Sequence, residues 1–130
     1  MQFELIKAFA QEGPLTLVVN GDCMQRTIPN GSRLSIEPKR TYWPGDALVY
    51  KRGDGQIMCH RFLGYVPGRN GWRVMTRADN TDRSDALVDT ESVLGKVIRV
   101  DGKSFKPNLE DRAGAVLAFY STVLQKIAKI

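Results

Sequence analysis

Ala47-Leu48-Val49-Tyr50-Lys51-Arg52-Gly53-Asp54-Gly55-Gln56-Ile57-Met58-Cys59-His60-Arg61-Phe62-Leu63 is the stretch that decides the fold class. Residues 47–50 form a short apolar run too brief for a helix and bounded by turn residues, which reads as a strand. Gly53-Asp54-Gly55 supplies tight-turn chemistry, and residues 56–63 return as a second strand, so the whole reads as a β-hairpin. Within that second strand neighbours point to opposite faces of the sheet, so Cys59 and His60 face opposite ways.

Working outward, the same grammar recurs. Upstream, residues 15–19 are an apolar, β-branched strand, stopped by Asn20-Gly21-Asp22. Pro29-Asn30-Gly31 is a turn, residues 33–37 alternate polar and apolar, and Trp43-Pro44-Gly45-Asp46 is another turn. Downstream, Pro67-Gly68-Arg69-Asn70-Gly71 reads as a glycine-rich loop leading back into a strand over 72–76. An acidic loop follows, then a last clear strand over 93–100. Many short strands at this spacing predict a mainly β, twisted, partly closed antiparallel structure. Helical periodicity flanks it. Phe3, Leu5, Ile6 and Phe9 predict a short amphipathic helix over 2–11, stopped by Gly13-Pro14. Val116, Leu117, Phe119, Tyr120, Val123, Leu124, Ile127 and Ile130 predict an amphipathic helix over about 112–130.

The chain has 130 residues, enough for one domain with a real core; residues 1–130 are read as that domain, its core about 15–100. Hydrophobic residues at 42% and charged residues at 25% match ordinary globular proteins. The net charge is +5, but the nineteen Lys and Arg are scattered, so the sequence argues against a nucleic-acid partner. Two cysteines and one histidine make neither a disulfide framework nor a zinc site, and no metal or cofactor is expected. Glu4 interrupts the apolar N-terminal stretch, which has no basic lead-in and does not read as a secretory signal. With no long apolar span, a soluble, cytoplasmic protein is expected. The C-terminal helix fits packing on the body or self-association, ahead of peripheral contact with a membrane surface.

Three residue types here can make chemistry together. Cys23 sits just past a strand end in Gly21-Asp22-Cys23-Met24, a turn that exposes its side chain and aims backbone N–H groups at what it attacks. Taken alone, a cysteine is as well explained as a small buried hydrophobe. A thiol acts as its thiolate, so it needs a nearby base, and His60 is the chain's only imidazole. If His60 faces Cys23, then Cys59 does not, and Cys59 is core. A histidine base needs an acceptor to hold its tautomer, and Asp79 and Asp85 are both candidates that spacing does not separate.

In order, these stretches resemble the type I signal peptidase and LexA-like peptidase superfamily. Its nucleophile motif Gly-x-Ser-Met-x-Pro-Thr-Ile-x-x-Gly is similar to Gly21-Asp22-Cys23-Met24-Gln25-Arg26-Thr27-Ile28-Pro29-Asn30-Gly31. Its Gly-Asp before a strand matches Gly45-Asp46. The histidine-base branch, typical of archaeal and endoplasmic-reticulum signal peptidases, carries His-Arg, then Thr-Lys-Gly-Asp-Asn, then a further aspartate. Here these are His60-Arg61, Thr76-Arg77-Ala78-Asp79-Asn80 and Asp85, with Gly95-Lys96-Val97 as the closing motif. The likeness covers residues 15–100.

The resemblance implies a nucleophile at Cys23, a general base and acid at His60, and an orienting carboxylate at Asp85, with Asp79 a structural or secondary acid. The backbone N–H of Cys23 would supply part of an oxyanion hole. The chain departs from the pattern in three ways: Cys23 replaces serine, Arg26 replaces proline, and the membrane anchor of the signal peptidases is missing from this sequence. A Cys–His pair is chemically coherent, because imidazole matches a thiol's acidity. The expected function is a soluble endopeptidase that cuts a peptide or propeptide bound as an extended strand. The alternative is an inactive relative working as a peptide-binding or assembly module.

Overall fold

The computed structural model describes residues 15–18, 28–81 and 83–128. The helix expected over 2–11 and the turn carrying Cys23 lie outside them. Among the described residues the chain is mainly β, a curled antiparallel half-barrel sheet with one C-terminal helix. Its strands are β1 (Leu15–Val18), β2 (Arg33–Glu37), β3 (Ala47–Lys51), β4 (Ile57–Gly68), β5 (Gly71–Arg77), β6 (Val88–Asp89), β7 (Val93–Val100) and β8 (Lys103–Ser104). The sheet order is β1-β2-β7-β3-β4-β5-β6, with β8 folded back on β7.

The expected hairpin is present, and it forms the middle of the sheet. β3 and β4 pair from Ala47 with Arg61 to Lys51 with Ile57, and Gly55 takes the left-handed φ of 90° that the turn demands. β3 is buried on both faces, which is why it reads as an unbroken apolar run rather than an alternation. One face of the sheet carries Ala47, Val49, Leu34, Ile36, Leu94 and Val97, with Cys59 packed against them. The other face carries Leu48, Tyr50, Phe62, Val74 and Val93.

β4 is longer than the expected 56–63: it runs on to Gly68, with His60 well inside it. The extra length comes from β5: Pro67 and Gly68 pair with Trp72 and Gly71, leaving Arg69-Asn70 as a two-residue turn where a loop is expected from the glycines. A bulge between Phe62 and Gly64 bends the strand at its centre. The two-residue strands β6 and β8 are too short to leave a periodic signal.

The helix α1 (Leu109–Ala128) starts three residues earlier than expected. Asn108 and Asp111 cap it reciprocally: Asp111 N–H donates to Asn108 Oδ1 at 2.7 Å, and Asn108 N–H to Asp111 Oδ2 at 3.1 Å. Ala115, Ala118, Phe119 and Val123 pack against Leu63 and Met75 of the sheet, so the body covers one side of α1. Leu117, Tyr120, Leu124 and Ile127 remain exposed. No helix among the described residues is long and apolar enough to cross a membrane.

Candidate functional site

Three adjacent strands bring polar groups to one point on an otherwise apolar face. Tyr50 comes from β3, His60 from β4 and Thr76 from β5, all pointing the same way by strand alternation. Asp85 joins them from the loop between β5 and β6. Its backbone N–H donates to the Thr76 carbonyl at 2.8 Å, which pins the loop back against the strand it has just left.

The four side chains form one network around a single carboxylate oxygen. His60 Nδ1 lies 2.5 Å from Asp85 Oδ2, Thr76 Oγ1 donates to that oxygen at 2.8 Å, and Tyr50 Oη donates to it at 3.2 Å. Tyr50 Oη is also 3.1 Å from His60 Nδ1 and stacks edge-on to the imidazole. A carboxylate acceptor at Nδ1 assigns the proton of the neutral ring to that nitrogen and leaves the Nε2 lone pair free. His60 is only 5% exposed, and its Nε2 is a buried atom with no hydrogen-bond partner among the described residues. Buried polar atoms are almost always paired, so an imidazole nitrogen with no partner among the described residues makes His60 a candidate functional group.

The electrostatics keep each member in the form the network needs. Burial works to raise the Asp85 pKa, but the hydrogen bond and charge of His60, with the Thr76 and Tyr50 hydroxyls, outweigh it and hold the carboxyl below its ordinary value. Burial pushes the Tyr50 phenol well above its ordinary range, aided by the Asp85 charge and against a hydrogen bond from Thr76. Tyr50 therefore stays a donor and Asp85 an acceptor.

The second acidic candidate goes elsewhere. Asp79 receives Arg61 Nη2 at 2.7 Å and Nε at 3.2 Å, and Arg61 Nη1 donates to the Gly45 carbonyl at 2.8 Å. Arg61 neighbours His60 along β4 and so faces away from it. Asp79 is thus an ion-pair partner of Arg61, the structural one of the two roles the resemblance implied for it. Of the residues singled out in the sequence, the structure brings His60 and Asp85 together, Asp79 stands apart, and Cys23 lies outside the described residues. Tyr50 and Thr76 were not expected at the site; the one signal available was a phenol ending a strand otherwise wholly apolar. Gly45-Asp46 serves the frame: Asp46 Oδ2 accepts the Trp43 N–H at 2.9 Å, and Oδ1 lies 3.2 Å from Arg112 of α1.

Among the described residues no group of His, Cys, Asp and Glu could hold a metal ion. No protein-family model matches the chain, and no curated protein matches it.

Proposed function

We propose that this chain is a cysteine endopeptidase of the signal-peptidase-like and LexA-like kind, in which Cys23, His60 and Asp85 act as nucleophile, base and orienting acid. The observation that supports the reading is the His60–Asp85 pair with a buried Nε2 that has no partner among the described residues. Nε2 takes the Cys23 thiol proton, and the thiolate attacks the scissile carbonyl carbon. The oxyanion is held in part by the Cys23 backbone N–H. Collapse breaks the C–N bond, and the imidazolium returns its proton to the leaving amine. Water, deprotonated by Nε2, then cleaves the thioester and restores the thiol. Asp85 stays ionised throughout, holding the ring and offsetting its transient positive charge.

The test is alkylation by iodoacetamide. Cys23 is expected to react stoichiometrically and ahead of Cys59, with a rate that titrates below the ordinary thiol range and falls in His60→Ala. Equal, slow labelling of both thiols overturns the reading.

A further inference from the structure

The face that carries the network has a second feature at its far end. A cleft of about 600 Å³ opens between the loop after β2 and the ends of β4 and β5, with Tyr42, Tyr65, Trp72 and Val74 forming its apolar walls. Volumes of this size suit a small-molecule ligand or a large side chain with its flanking backbone. Trp72 is 59% exposed there, an unusual position for the largest apolar side chain. The Tyr65 hydroxyl accepts the Tyr42 N–H at 2.8 Å, which ties the Tyr65 ring to the backbone of the loop after β2. Lys39 on the rim is paired with Glu37, so the exposed Arg40 gives the rim its net positive charge.

The cleft and the network belong to one strip of sheet. β5 is regular from Gly71 to Arg77, so Trp72, Val74 and Thr76 project from the same face. Trp72 is at the cleft and Thr76 is bonded to Asp85. Four residues of strand separate them, roughly 13 Å at about 3.3 Å per residue. Val74 and Phe62 are fully buried and cluster with Tyr42 and Val93 on this same face.

We propose that the cleft is a side-chain subsite. It takes a large apolar side chain, flanked by an acidic residue, of an extended peptide whose scissile bond lies about four residues away. The apolar walls select the side chain, and Arg40 selects its neighbour by charge. This rests on the peptidase reading for the position of the bond, but the pocket's binding preference stands apart from cleavage.

The experiment uses an array of synthetic decapeptides with randomised positions, probed with the full chain carrying Cys23→Ala and, in parallel, digested with the unmodified chain. Retained peptides are expected to carry Phe, Trp, Leu or Met next to Asp or Glu. Trp72→Ala is expected to weaken the best binder roughly tenfold, the loss of one aromatic contact. Thr90→Trp, which fills the cleft from another lining position, is expected to weaken it similarly, and Arg40→Glu to remove the acidic preference. Thermal melting of each variant confirms that it is folded. Cleaved peptides are expected to be cut about four residues from the anchor. Binding with that preference but no cleavage supports the subsite and overturns the peptidase. Cleavage with no apolar preference, unchanged in Trp72→Ala and Thr90→Trp, overturns the subsite and leaves the peptidase. Neither binding nor cleavage overturns both.

Discussion

His60 Nδ1 lies 2.5 Å from Asp85 Oδ2 across 25 residues of chain, and the loop that carries Asp85 is fixed by its own backbone bond to Thr76. The contact orients the ring and also selects its tautomer. Asn in place of Asp85 keeps the shape but can present an amide N–H to Nδ1, which moves the ring proton to Nε2 and removes the base. Asp85→Asn is therefore expected to cut the Cys23 alkylation rate at neutral pH towards that of His60→Ala. Peptide cleavage is expected to fall roughly 10²- to 10⁴-fold, the usual range for losing a general base. Iodoacetamide kinetics resolved by mass spectrometry check the first figure, and quenched-peptide hydrolysis the second.

The same contact makes stability depend on acid. The folded-state pKa of Asp85 lies below its ordinary value of 3.8, so the unfolded chain takes up the proton first as pH falls. The stability this group contributes is complete above that ordinary value and is lost as pH drops through the folded one. Asp85→Asn is expected to lower the urea midpoint at pH 7 and to flatten its decline between pH 4 and pH 2.5. Asp54 is also held low, to about 2, by its hydrogen bonds from Arg52, but the pair is exposed and screened by solvent. Asp54→Asn is expected to leave the acid limb close to that of the unmodified chain. Urea titrations of the three proteins across this range check the sign.

The docking of α1 turns on a glycine. A Cβ on Gly64 would sit 2.6 Å from the Phe119 ring, inside any allowed contact, so the bulge in β4 and the missing side chain together make the seat for this ring. Gly64→Ala is expected to destabilise the chain by about 1–3 kcal/mol, the ordinary cost of overpacking. Combining it with Phe119→Leu is expected to recover part of the loss, because the two changes meet at one contact. Chemical denaturation of both singles and the double closes the cycle, and equal, additive losses would show that the ring does not sit there.

How much of this was legible in the sequence depends on where each signal is stored. The alternation of Leu34 and Ile36 and the apolar run over 47–50 are local, and both reappear as β2 and β3. The far half of β4 is not local. Tyr65, Val66, Pro67 and Gly68 are held in the strand by pairing with β5, and glycine and proline at its end disguise it as a loop. The site divides the same way. His60 stands out because no other imidazole exists, and strand parity correctly turns Cys59 away from it. The choice of Asp85 over Asp79 is tertiary, since it depends on which acid Arg61 captures. Tyr50 reads as core in any sequence, and only its neighbours on β4 and β5 reveal a hydrogen-bonding role.

That capture by Arg61 gives the last expectation. The Arg61 and Asp79 side chains are 7% and 16% exposed, so the pair is largely out of water. Arg61 also holds the Gly45 carbonyl, and Gly45 itself leaves room for Arg112 of α1. Truncating one member of such a pair strands the other's charge at a cost of about 3–5 kcal/mol, while the attraction between them yields far less than that net. Asp79→Ala is expected to lower the thermal midpoint sharply, and Arg61→Met with Asp79→Leu to lower it less than either single change, because no charge is left unpaired. In protein still folded at low temperature, Asp79→Ala is expected to leave the Cys23 alkylation rate and its pH profile unchanged, since Arg61 and His60 leave opposite faces of β4. A shifted profile at full folding would return Asp79 to the reacting site.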